Sequence, residues 1–168
     1  MIRLFAIALL ALAGCSAPPD VPGAQDRPTD LERAAIEAGL IADPANTDIT
    51  GLYARETDRI CIVPAAKAYR IGLVIDYGDR LGCAGSGVVD RVGNGLRITL
   101  DGRAGCSFDA QFDGDRIVLP GRVPDGCAAL CARRVSIAGL EVERLSDSTS
   151  EASTLRDRRG KLLCQSGA

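Results

Sequence analysis

The sequence has no histidine and no tryptophan among its 168 residues, a single methionine, and only 4% aromatic side chains. Without histidine there is no imidazole to serve as general base, metal ligand or proton switch near neutral pH, which excludes most familiar catalytic triads and mixed zinc centres. Lysine is almost missing too, with two lysines against eighteen arginines. The formal charge is −2. Phosphate backbones are held by clustered excess positive charge, so a nucleic-acid partner has no electrostatic basis here. The scarcity of aromatics leaves Leu, Ile, Val and Ala to build the core, so covalent crosslinks carry more weight than usual. The remaining composition, 46% hydrophobic and 25% charged, is globular, and the length suits one domain with short extensions.

No apolar run reaches the roughly 20 residues needed to cross a bilayer as a helix. The longest at the N-terminus is Leu4 through Leu12, nine residues after Met1-Ile2-Arg3, and it reads as the h-region of a secretory signal. The four residues that close it, Leu12-Ala13-Gly14-Cys15, resemble the lipobox of bacterial lipoproteins. That resemblance implies a signal peptide over 1–14 and cleavage before Cys15, with a diacylglycerol on its thiol. The protein would then be anchored to a membrane by lipid, in the bacterial cell envelope and facing the periplasm. Ser16 resembles the export signal to the outer rather than the inner membrane. Residues 15–28 carry four of the eight prolines and read as a tether, whose thirteen residues after the anchor reach at most about 40 Å.

Besides Cys15 there are six cysteines: Cys61, Cys83, Cys106, Cys127, Cys131 and Cys164. An even number in an oxidising compartment predicts three disulfides, and six thiols permit fifteen pairings. Only Cys127 and Cys131 lie close in sequence, so neither a four-thiolate zinc site nor a Cys-x-x-Cys redox motif is spelled out. One pair follows from hairpin geometry. With Asn94-Gly95 as a two-residue turn, Gly93 faces Leu96, and extending that register outward sets Cys83 opposite Cys106 at near-disulfide range. The sequence alone does not choose among the pairings of the other four.

In residues 29–46, Thr29-Asp30-Leu31-Glu32 matches a capping box and Gly39 a C′ stop, predicting a short helix over 30–38 followed by a linker. From 47 to 168 the pattern changes to short alternating runs separated by turn residues. Strands are expected near 50–54, 59–63, 69–77, 83–92, 96–101, 106–112, 116–119, 132–138 and 140–145. Phe108, Ala110 and Phe112 share an apolar face with Ile117 and Leu119 across an Asp113-Gly114 turn. Ser148-Thr149-Ser150-Glu151 predicts a final helix over 151–159, with Cys164 stapling the end to the body. The expected fold is mainly β: a small antiparallel barrel or sandwich stapled by disulfides, with short N- and C-terminal helices.

Several clusters invite chemistry and have a simpler explanation beside it. Asp109, Asp113 and Asp115 resemble a cation site, but Asp113-Gly114 is already a turn. Gly82, Gly85 and Gly87 lack the helix and lysine of a phosphate loop, and Gly85-Ser86-Gly87 lacks the outer residues of a nucleophile elbow. Glu141 and Glu143 share a strand face, as two acids among 22 will by chance. Arg133-Arg134 and Arg156-Asp157-Arg158-Arg159-Gly160-Lys161 are either a solvated face or a contact for anionic lipid or an acidic partner.

The sequence therefore predicts a non-catalytic binding or interaction module, with no cofactor and no metal, whose partners are the membrane through its lipid and a protein or other envelope ligand. Small envelope barrels that inhibit lysozymes or proteases are similar in plan, with a Gly-x-aromatic start comparable to Gly51-Leu52-Tyr53, though their inhibitory motifs are not found here. An inhibitor of a hydrolase is thus one alternative, and a structural or assembly component of the envelope is another.

Overall fold

The computed structural model describes residues 30–41, 43, 47–102 and 105–165. The expected signal peptide, Cys15 and the tether lie outside the described residues.

Eight antiparallel strands follow one another around a closed barrel: β1 (Gly51–Arg55), β2 (Asp58–Pro64), β3 (Tyr69–Asp76), β4 (Gly82–Val92), β5 (Gly95–Leu100), β6 (Ser107–Phe112), β7 (Arg116–Val118) and β8 (Glu141–Ser146). Closure comes from β8, which pairs with β7 on one side and with β1 on the other, setting Tyr53 opposite Arg144. A barrel removes every unpaired sheet edge, and eight strands leave an interior just wide enough for side chains to fill. Ile60, Ile62, Ile71, Leu73, Val89, Leu96, Ile98, Phe108, Phe112, Ile117 and Val142 fill it, all buried. The expected shared face of Phe108, Ala110, Phe112, Ile117 and Leu119 is part of this core.

Strands β5 and β6 bury every second residue, as a half-solvated sheet does. In β2, by contrast, Ile60-Cys61-Ile62-Val63 are buried without a break, which requires cover on both faces. The outer cover is the C-terminal segment, whose Ala152, Leu155, Leu163 and Cys164 pack with Leu52, Cys61, Val63 and Val74. Gly72 makes that contact possible, because a Cβ there would sit 2.5 Å from Leu163 Cβ and 2.9 Å from Cys61 Sγ.

The N-terminal helix is present as α1 (Asp30–Glu37). Gly39 takes φ +68° and its N–H reaches the Ile36 carbonyl while that of Leu40 reaches Ala35, a Schellman ending. The final helix is much shorter than expected: α2 spans Thr149–Ala152. Ser148 does cap it, accepting the Glu151 N–H at 3.3 Å. The helix stops because Leu155 and Leu163 must both reach the barrel wall, and the chain returns between them through a tight turn at Asp157–Gly160, with Arg156 bridged to Leu162 and Leu163 N–H donating to Leu155 O at 3.0 Å.

The strand expected at 132–138 does not form. With β8 paired on both sides the barrel is already closed, so a ninth strand has no edge to join. The chain between β7 and β8 instead makes a 3₁₀ helix, Asp125–Leu130, and an irregular return that still sends Ile137 into the core.

The β4–β5 turn also differs from expectation. Val92 faces Gly95, so Gly93-Asn94 is the loop, with Gly93 at φ +58° in the first central position. Glycine there is what a type II′ turn asks for, and it outcompetes the Asn-Gly alternative. The register shifts by two residues, which keeps Leu96, Ile98 and Leu100 facing inward but ends the ladder at Gly87 and Leu100, short of both cysteines. Cys83 and Cys106 are therefore not partners. The disulfides are Cys61–Cys164, Cys83–Cys131 and Cys106–Cys127.

Candidate functional site

The antiparallel meander gives the barrel two ends of different character. One end carries the β2–β3, β4–β5 and β6–β7 turns and the incoming chain at Thr47–Thr50. Ile49 is only 1% exposed and closes the mouth. Three side chains hold it through backbone carbonyls. The Tyr53 hydroxyl donates to Ile49 O at 3.0 Å, Arg144 donates to Thr50 O at 2.6 Å and to Asp48 O at 2.8 Å, and Arg91 donates to Thr47 O. Each guanidinium also lies over a ring, Arg144 over Tyr53 at 4.9 Å and Arg91 over Phe112 at 5.3 Å. Burial drives the Tyr53 hydroxyl far above the usual phenol range, against the opposing pull of Arg144, so it stays a neutral donor. This end is a structural seal.

The opposite end carries the β3–β4 turn and the long β7–β8 connection. Two disulfides pin that connection across the mouth: Cys127 to Cys106 before β6, and Cys131 to Cys83 at the start of β4. Cys83 and Cys131 form an isolated antiparallel bridge, and the Ala132 N–H donates to Gly82 O at 2.8 Å. Leu130 rests where a Cβ on Gly85 would stand, 3.0 Å away.

Beside this crosslink lies a cavity of about 400 Å³. Its wall is Val74, Ala84, Ala129, Leu130 and the Cys83–Cys131 pair, and its rim carries Arg80, Asp157, Arg158 and Arg159. Arg158 is held over the β3–β4 turn by Asp76 and by Leu81 O at 2.9 Å. Backbone N–H donation from Gly78, followed by Arg158, keeps the Asp76 carboxyl below the usual carboxylate range. The Asp157 carboxylate accepts the N–H groups of Arg159 at 2.8 Å and Lys161 at 2.9 Å.

The other sequence candidates separate. Asp109 pairs with Arg97, Asp113 with Arg116 and Asp115 with Arg144, so each acid has its own arginine and the three do not converge. Among the described residues no cluster of three or more Cys, Asp or Glu is arranged to hold a metal. Gly82 and Gly87 are glycines because a Cβ on either would collide with a neighbouring strand's carbonyl, at Ile75 and Thr99 respectively. Ser86 is buried and points its hydroxyl at Asp101, 3.4 Å away. Glu141 is tied to Arg116 at 3.1 Å while Glu143 is exposed. Arg133 and Arg134 are exposed and line no part of the cavity. Of the arginine run, Arg158 and Arg159 reach the rim and Arg156 instead closes its own loop on Gly160 O at 2.7 Å. Arg80 carried no signal in the sequence, because it lies far along the chain from the run it joins.

The class this architecture defines is an eight-stranded antiparallel barrel with a filled interior, one sealed end and one disulfide-pinned end. Comparison with family models, curated proteins and solved structures finds no match to this chain.

Proposed function

We propose that this chain is a lipid-anchored, non-catalytic binding module of a bacterial cell envelope, tethered through Cys15 to the periplasmic face of the outer membrane, and that it engages its partner at the disulfide-pinned end of the barrel. The observation that carries this reading is the placement of the β7–β8 connection. Its residues 119–140 are fixed across one mouth by Cys83–Cys131 and Cys106–Cys127, while the chain that leads back to Cys15 enters at the other. A side chain or loop locked in place before binding loses less entropy when a partner arrives, so a stapled loop is a better recognition element than a free one. The filled interior supports recognition by the outer surface rather than inside the barrel. Three disulfides fit an oxidising compartment, which agrees with the lipobox resemblance.

The test uses the full-length chain in an exporting bacterial host. Wild type is expected to incorporate labelled palmitate and fractionate with the outer membrane, and Cys15→Ala to do neither. A photo-crosslinking side chain at Ala129, on the pinned end, is expected to give a discrete adduct, and one at Asn94, on the sealed end, none. Adducts at Asn94 alone, or a Cys15→Ala protein that is still acylated, would overturn the reading.

A further inference from the structure

We propose that the cavity beside Cys83–Cys131 is a binding site for a carboxylate carried on a short aliphatic body. The volume of about 400 Å³ lies within the range of small-ligand sites. Its walls are aliphatic side chains and a disulfide, while three arginines, Arg80, Arg158 and Arg159, line its rim.

These charged groups differ in how far they are already committed. Arg158 already donates to Asp76 and to Leu81 O, and Asp157 is engaged by two backbone N–H groups. Arg80 and Arg159 form no side-chain hydrogen bond or ion pair with the described residues. Two arginines with no partner among the described residues thus line one concave site on a chain whose formal charge is negative. A guanidinium fork matches a planar carboxylate with two parallel N–H donors, a charge-assisted pairing about twice as strong as a neutral hydrogen bond.

A second, independent observation concerns the backbone that presents Arg80. The Leu81 N–H donates to Gly78 O at 2.7 Å, and the two central residues, Asp79 and Arg80, take φ +45° and +63°. This is a type I′ turn, whose second central position favours glycine because a Cβ is strained at positive φ. The turn therefore holds a long cation where glycine would serve the fold better. Strained backbone is enriched where side chains contact ligands, and Arg80 combines it with a place on the cavity rim, which Glu56 and Arg133, also at positive φ, do not share.

The inference rests on the reading that the pinned end binds a partner, and the two fail separately: the Ala129 crosslink reports on a partner, and the titration below reports on the cavity. Full-length, oxidised protein in zwitterionic detergent is titrated with 4-methylpentanoate and followed by amide and Arg Nε–H NMR. Saturable shifts are expected at Arg80, Ala129–Ala132 and Arg159. The uncharged 4-methylpentanamide should bind about tenfold more weakly, as loss of a charge-assisted pair implies. Arg80→Gly should weaken carboxylate binding to a similar degree while its thermal midpoint stays equal or rises, which separates binding from folding. Arg159→Gln should weaken it as well. An acetylated dipeptide ending in leucine, binding more tightly than 4-methylpentanoate, would assign the carboxylate to a peptide C-terminus; equal affinity would assign it to a free organic acid. Equal binding of acid and amide, tighter binding of inorganic phosphate, unchanged affinity in Arg80→Gly, or no saturable shift overturns the proposal.

Discussion

Arg144 lies over the ring of Tyr53, 4.9 Å from its centroid, and from that position its guanidinium reaches the carbonyls of Asp48, Thr50 and Gly114 and the carboxylate of Asp115. A single side chain so ties β8, β1, the incoming chain and the β6–β7 turn into one seal. Its side chain is only 14% exposed, and the bonds to Thr50 O and Gly114 O are partly buried, while those to Asp48 O and the Asp115 carboxylate face water.

Replacing Arg144 by methionine keeps much of the aliphatic stem and removes every donor. The expected loss is about 2–4 kcal/mol, since several carbonyls lose their partner at once. Tyr53→Phe removes one donor to Ile49 O and should cost about 1 kcal/mol. Urea midpoints of the two variants check the order. An Arg144→Met protein as stable as wild type would show that the seal does not depend on this residue.

Gly72→Ala places a methyl group against Leu163 and the Cys61 sulfur. Overpacking of this kind costs about 1–3 kcal/mol, and the C-terminal strap, which is not a strand of the barrel, is the part able to give way. Beyond lower stability, faster reduction of Cys61–Cys164 is expected, because the strap that covers it is lifted. Timed alkylation and mass mapping in mild reductant read this directly. Mapping of the wild type should recover Cys61–Cys164, Cys83–Cys131 and Cys106–Cys127, and no Cys83–Cys106 peptide.

The crosslinks should differ in worth. Cys61–Cys164 spans 103 residues and Cys106–Cys127 spans 21. On the chain-entropy argument, removing the first by paired alanines costs about 4–5 kcal/mol and removing the second about 3 kcal/mol. Guanidinium unfolding of the two double variants gives the comparison, and a reversed order would mean that native-state contacts, not loop closure, set the values.

Acid stability should depend on Asp76 and Asp109. Gly78 N–H and Arg158 lower the first carboxyl, and Arg97 lowers the second. A folded pKa below the unfolded one means that the unfolded chain binds protons more readily. The contribution is therefore full above the unfolded carboxylate value of about 4 and is lost as pH falls through the folded value. Asp76→Asn/Asp109→Asn is expected to flatten the acid limb of a thermal-midpoint profile below about pH 5, and to leave its slope near neutrality unchanged. An acid limb as steep as wild type would remove these two groups from the account.

Much of the fold was legible because it is local. The period-two pattern of β5 and β6 depends only on which side chains seek water, and their inward face emerged as expected even though the turn between β4 and β5 moved. Gly39 stops α1 because only its own φ is at stake. The capping sequence at Ser148 likewise starts α2, but sequence has no means of announcing that Leu155 and Leu163 will claim the same wall and end the helix after one turn. Disulfide pairing failed for a related reason: a two-residue change in turn register is small in sequence and decisive at the far end of the strands.

By itself, then, the sequence determined the strand composition, the need for crosslinks in a core poor in aromatics, and the resemblance at Cys15, because each depends on neighbouring residues alone. Tertiary structure decided that the sheet closes at eight strands, which cysteines meet, and that Arg80 joins Arg158 and Arg159 at one cavity. Those outcomes depend on the curvature and register accumulated over the whole barrel, where residues nearly eighty positions apart become neighbours only after the last strand has paired with the first.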